Sequence, residues 1–273
     1  MAGVQNFALR VNEDGFVLYP GIDQNLDRTS GAGLPNPNEE HSVKRHPLGT
    51  VLVDPSGGRA WRYGLAGGVA LAAGKIVQSE VHVAHHEDMP CGTEPAGETT
   101  ISITPPSTDV PVDDYDEGFL WVNDDTGEGE IHRVLTTPAI SAGATGDIEL
   151  YANDPIVTAF GANTTVSLIR HAGAQVIVHP SPPTAGMYGV PNIPITAAYY
   201  GWFQYRGPCP VLYDDSGTTI AAGNHVRASD GVDGAVEFLD RDGTHENEPE
   251  VGVCLVVSGD GEYGLINLTL PGI

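Results

Sequence analysis

Short apolar runs recur along this chain, most with a period of two and each closed by Gly, Pro, Asn or Asp, which is the pattern of strands joined by tight turns. Phe7, Leu9 and Val11, then Phe16 and Leu18, flank Asn12-Glu-Asp-Gly15 and predict a first hairpin. Thr50-Val-Leu-Val-Asp54, Pro55-Ser-Gly-Gly58 and Arg59-Ala-Trp-Arg-Tyr63 predict a second, with Trp61 and Tyr63 on one face. Lys75–Val83 reads as a strand, as do Phe119–Val122, Ile131–Leu135, Asp147–Tyr151, Thr164–Ile169 and Gln175–Val178. Beyond the Pro-rich stretch 180–194, Ala197–Tyr205, Pro210–Tyr213, Ala235–Leu239, Val251–Val257 and Tyr263–Leu270 complete the set. No segment reads as a helix, so the expected fold is all-β: one or two small β-barrel or β-sandwich units, SH3-like or β-tulip-like, with long loops and an acidic insert.

One short pattern occurs twice. Leu71-Ala-Ala-Gly-Lys-Ile-Val77 returns as Ile220-Ala-Ala-Gly-Asn-His-Val226, each copy preceded by Gly and by a Tyr-containing segment. Neither contains a nucleophile, an acid–base pair or a metal ligand set. The pair therefore reads as a strand–turn device used once in each β half, and not as a ligand loop.

Charge narrows the function. The 273 residues hold 36 acidic against 12 basic side chains, a formal charge of −24, and the only lysines are Lys44 and Lys75. Affinity for nucleic acid rests on Lys and Arg displacing counterions, so direct nucleic-acid binding is not expected. An acidic, lysine-poor balance keeps particles apart and suits a salty environment, where screening removes the self-repulsion. No apolar run reaches about 18 residues and the amino terminus lacks a basic start and apolar core, so neither a membrane helix nor a signal peptide is expected. Cys91, Cys209 and Cys254 are too few and scattered for a disulfide framework and read as reduced thiols.

Candidate chemistry is sparse. His82-Val-Ala-His-His-Glu-Asp-Met-Pro-Cys91 would place His82 and His86 one turn apart on a helix, where they could share zinc. On the strand that its valines suggest, they stand roughly 13 Å apart, too far for ligands that must lie about 2.0–2.3 Å from one ion. A site of His85, Glu87 and Cys91 across a turn is the remaining metal alternative. Gly259-Asp-Gly-Glu-Tyr-Gly264 matches a dinucleotide fingerprint in letters only, because a strand and the chain end follow it where a helix is needed. The acidic stretches 113–117, 123–130 and 240–250 lack calcium-loop spacing. Glu128 and Glu130 give no more than a weak hint of a carboxylate pair, so no catalytic residue and no cofactor are assigned. Tyr199, Tyr200, Trp202, Phe203 and Tyr205 form the largest aromatic cluster; alternation puts Tyr200 and Trp202 on one face and the other three on the opposite one, supplying a core and a subunit contact.

His46-Pro-Leu-Gly-Thr50, Arg59-Ala-Trp-Arg-Tyr63, Ala66-Gly-Gly68 and Leu71–Gln78 resemble the opening of capsid decoration (cement) and related virion structural proteins of tailed double-stranded DNA viruses. Tyr200-Gly-Trp-Phe-Gln-Tyr205, Ala221–Val226, Val251–Val256 and Leu265–Leu270 resemble the closing β half. The resemblance implies a non-enzymatic virion protein, commonly a homotrimer, that binds the outside of an icosahedral shell and clamps neighbouring capsomers. Its partners would be the major capsid protein and further copies of itself, with no nucleic acid or membrane. The chain then divides into an N-terminal β region, 1–86, with an extended arm at 20–47; an acidic loop-rich insert, 87–145; and a C-terminal β-barrel, 146–273. Arg28, Lys44 and Arg45 are the cations expected to meet an acidic capsid, with Tyr200 and Trp202 at a capsid or subunit contact. The alternative is a turret or tail receptor-binding protein touching host glycans.

Overall fold

The computed structural model describes residues 10–11, 17–19, 35–215, 217–241 and 248–271. The fold is all-β, with 40% of residues in strands and 1% in helix, built as a half-barrel sheet and a nearly closed barrel sheet. Two compact units carry these sheets. Val81–His171 forms one, and the segments before and after it join to form the other. The three-part division at residues 86 and 145 is therefore redrawn. The stretch 87–145 is no loop insert: it supplies strands Met89–Pro90, Thr100–Ile103, Phe119–Asp124 and Ile131–Thr136, while Gly146–Leu150 and Thr165–Ile169 complete the same sheet. Phe119–Val122 and Ile131–Leu135 are legible as strands in the sequence; Met89–Pro90 and Thr100–Ile103, two and four residues long among turn residues, are not. Ile101, Ile103, Leu120, Val122, Val134, Ile148, Val166 and Leu168 all point inward to one core. An isolated bridge between Cys91 and Ile103 joins the first and last strands and leaves little open edge.

In the other unit the backbone of the sheet is Tyr200–Leu212, thirteen residues long. The aromatic cluster and Pro210–Tyr213, expected as two strands, are thus largely one. It pairs with Arg59–Leu65 as far as Arg206 and with Tyr263–Thr269 from Arg206 onward. Pro208 and Pro210 are two residues apart, so both missing N–H groups fall on the edge that Arg59–Leu65 no longer covers, where no donor is needed. The expected hairpins are present: Arg10–Val11 pairs with Val17–Tyr19, and Val51–Asp54 with Arg59–Leu65. Gly259–Glu262 turns the chain between antiparallel Glu250–Val256 and Tyr263–Thr269, and Tyr263 and Gly264 already begin the second strand. The strand expected over Lys75–Val83 shrinks to Val77–Gln78, and Ala84–His86 is a single 3-10 turn.

The twofold repeat is one instance of a wider device. Leu71 and Ile220 are buried, and the Gly three positions on, Gly74 and Gly223, has positive φ, with a strand starting soon after. Ile140 with Gly143, Ile195 with Ala198 and His46 with Gly49 repeat this layout. In four copies an i→i+3 hydrogen bond closes the turn: Thr50 N to Pro47 O, Ala144 N to Ser141 O, Tyr199 N to Thr196 O and Asn224 N to Ala221 O. Positive φ at the third turn position alone marks a type II turn. A buried side chain thus locks the chain to the core immediately before a type II turn launches a strand. His46 holds the position that Leu or Ile fills elsewhere.

Arg62 is the least expected core residue. Its guanidinium is buried, lies 4.4 Å from the Tyr188 ring centroid and 5.1 Å from that of Tyr205, and donates to the carbonyls of Tyr188, Met187 and Pro271. Rings and carbonyls replace water around this cation and tie the carboxyl-terminal end to the sheet.

Candidate contact surfaces

The segment 41–50 wraps over the aromatic cluster. His41 and Tyr200 exchange two 2.8 Å backbone hydrogen bonds, and the Arg45 amide donates to the Tyr63 hydroxyl at 3.1 Å. The His46 ring meets Tyr63 edge-on at 5.1 Å and Trp202 at 5.3 Å, and Tyr63 stacks on Tyr200 at 5.8 Å. Between these two pins, Ser42-Val-Lys-Arg45 is exposed, Val43 at 66%. Lys44 and Arg45 are therefore displayed side by side on a loop whose ends are fixed. Burial, with His41 and Arg45 nearby, pushes the His46 imidazole down to about 4, so it sits neutral in its aromatic niche near pH 7.

The other expected contact residues separate. Tyr200 is half-buried at the edge of the cluster. Trp202 is 1% exposed and packs with Leu52, Trp61 and Tyr63, so it builds core and offers no contact surface. The alternation reading of this strand holds, because Phe203 packs on the opposite side with Tyr188 and Ile195. What alternation alone missed is that both faces of the sheet are covered here. Arg28 lies outside the described residues.

In the barrel of 81–171, an apolar strip crosses the outer side of three strands, bordered on the next strand by exposed Asp147 and Glu149. Trp121 stands opposite Ile131, and Phe119 stands between Arg133 and Ile169; Leu135 follows on the same strand face as Ile131. Ile131, Leu135 and Ile169 are exposed. Arg133 is the single charge in this group, and its guanidinium lies 4.5 Å from the Tyr151 ring centroid.

The residues considered for chemistry are dispersed into structural contacts. His82 pairs with Glu87 at 2.8 Å; His85 bonds Thr108 Oγ1 at 2.6 Å; His86 bonds the Tyr115 hydroxyl; the Cys91 thiol faces the Thr164 carbonyl at 3.2 Å. His85, Glu87 and Cys91 do not converge, and among the described residues no three His, Cys, Asp or Glu side chains are placed to hold a metal ion. Acidic residues are engaged by arginines: Asp114 by Arg170 through two bonds of 2.9 and 2.6 Å, Glu248 and Glu237 by buried Arg227, and Glu250 by Arg241, with the His225 ring 2.8 Å from the same Glu250 oxygen. Glu130 pairs with no Glu128. It faces His132, which is 2% exposed, at 3.3 Å, with Asp154 on the other ring nitrogen at 3.5 Å. Burial opposes ionisation of Glu130, yet hydrogen bonds from Thr158, Val157 and His132 hold its carboxyl below the usual range. Asp154 lies 22 residues from His132, so no local signal announces this trio.

All three cysteines are free. Burial pushes Cys209 up to about 12 and Cys91 to about 11, which keeps both as poor nucleophiles. Among the described residues no helix is long and apolar enough to cross a membrane. No family model, no curated protein and no solved structure matches this chain.

Proposed function

We propose that the protein is a structural component of a virus particle that docks on the outer surface of an icosahedral capsid and reinforces contacts between capsomers. The observation that carries this reading is the pinned loop Ser42–Arg45. It displays two adjacent cations and an exposed valine on a protein of charge −24, and the hydrogen bonds of His41 and Arg45 with the seated His46 ring hold its ends. A fixed cationic tip loses little conformational entropy when it meets an acidic capsid surface, and the acidic remainder of the molecule limits docking to that tip. Copies seated around one symmetry axis, as in a trimer, add their modest contacts together. The apolar strip of Trp121, Ile131 and Leu135, with the carboxylates of Asp147 and Glu149 at its rim, has the composition of a contact between copies.

Capsids assembled without the protein provide the test. Added protein should bind them saturably, less tightly as salt rises, and the double variant Lys44→Glu, Arg45→Glu should bind roughly tenfold or more weakly while melting at the same temperature. Full binding by the charge-reversed protein would remove the loop from the contact. Failure of the unaltered protein to bind at low salt would remove capsid docking altogether.

A further inference from the structure

A cleft of about 500 Å³ opens where Arg59–Leu65 stops pairing with Tyr200–Leu212, in the range of ligand-binding pockets. Its walls come from Pro191 and Asn192, the turn at Ala73-Gly74, the Pro208–Pro210 edge, Arg59 and Tyr263. Four features of this lining constrain what it can hold.

The first is an aromatic platform. Tyr263 is 51% exposed, and its ring lies on Gly74 so closely that a Cβ there would stand 2.6 Å from Cε1. Gly74 therefore serves both the type II turn, at φ +71°, and the seat of the ring. The second is charge. Arg59 is the only charged residue in the lining, and its guanidinium is already bonded to Asp54 at 3.1 Å and set 5.0 Å from the Trp61 ring centroid. The lining is close to neutral, and the field of the whole acidic chain disfavours an anion.

The third feature is a supply of uncommitted polar groups. The Asn192 carboxamide and the Tyr263 hydroxyl have no hydrogen-bond partner among the described residues, although both line the cleft. One offers donor and acceptor together, and so does the other. The fourth is rigidity. Gln204 Nε2 is held by the carbonyls of Arg206, Gly207 and Pro208 at 3.1, 3.3 and 2.8 Å, and prolines fix the neighbouring edge. That edge lacks N–H donors at Pro208 and Pro210, so a peptide cannot add to it as a regular strand.

A neutral ligand with an apolar face for the ring and hydroxyls that both give and accept hydrogen bonds meets all four constraints. We infer that this cleft is a binding site for a neutral saccharide, with Tyr263 as the stacking platform and Asn192 as the hydroxyl-reading group. The inference is independent of capsid docking through Ser42–Arg45.

The probe is a panel of neutral gluco-, galacto- and manno-oligosaccharides at millimolar concentration, with sialylated counterparts, monitored by amide chemical shifts of the intact protein. At least one neutral sugar should shift Gly74, Asn192 and Tyr263. Tyr263→Ala and Asn192→Ala should each weaken that binding at least tenfold without lowering the melting temperature, and Tyr263→Phe should retain most of it. Lys44→Glu with Arg45→Glu should leave it unchanged, which separates this site from the docking loop. The inference is overturned if no neutral sugar shifts these amides, if Tyr263→Ala and Asn192→Ala bind as the unaltered protein does, or if the sialylated sugars bind more tightly than the neutral ones.

Discussion

His46 occupies an anchor position that Leu71, Ile140, Ile195 and Ile220 fill elsewhere, and this substitution of a titratable ring for an aliphatic one makes the fold acid-sensitive at a definable place. The imidazole is 9% exposed between Tyr63 and Trp202, its Nδ1 has no hydrogen-bond partner, and burial lowers it from 6.5 to about 4. A histidine that protonates less readily in the fold than in the unfolded chain costs nothing above its unfolded value. Stability is lost as pH falls below 6.5, and the loss levels off below about 4. A gap of about 2.5 pH units at ~1.36 kcal/mol each sets the full loss at roughly 3 kcal/mol, of which about 2 kcal/mol is reached by pH 5. His46→Leu restores the aliphatic anchor at similar volume and should abolish this component. Of the three tryptophans, Trp202 lies beside His46, Trp61 packs in the same cluster as Trp202, and Trp121 lies in the other unit, so a Trp121→Phe background makes fluorescence report the relevant unit alone. Urea unfolding in that background at pH 7 and pH 5 should show the His46 protein losing about 2 kcal/mol more than His46→Leu. His41, also lowered by burial, is retained in both proteins and cancels from the comparison. Equal losses in the two proteins would refute the assignment. Because the same ring pins Ser42–Arg45, capsid binding by the unaltered protein should also weaken toward pH 5.

Three further outcomes follow from local structure. Ala198 carries φ +60° at the turn position where Gly143 and Gly223 stand in sister copies, so Ala198→Gly should stabilise by about 0.5–1 kcal/mol in thermal unfolding. Gly143→Ala and Gly223→Ala meet no atom within 4 Å and should each cost about 1 kcal/mol from backbone strain alone; neutral substitutions would show that the turns tolerate another conformation. Treating folded protein with a thiol reagent at pH 8 should label Cys91 slowly and leave buried Cys209 and Cys254 untouched until urea is added, as counted by intact mass.

The sequence by itself determined the fold class, because a period of two and frequent turn residues are local properties that each strand carries alone. It also determined the acidic exterior, the cations at Lys44 and Arg45, and the turn character of the Leu71 and Ile220 repeats, since composition and a four-residue pattern need no partner to be read. Tertiary structure decided the rest. Ile131–Thr136 is legible as a strand and Thr100–Ile103 is not, but that both are staves of one barrel was decided only by the core they share with residues far along the chain, up to Leu168. Trp202 moved from expected surface to core because Arg59–Leu65 and the 41–50 segment cover it from outside its own strand. The cleft beside Tyr263 exists because two neighbours of one long strand end at different registers, a relation between four distant segments that no single one of them encodes.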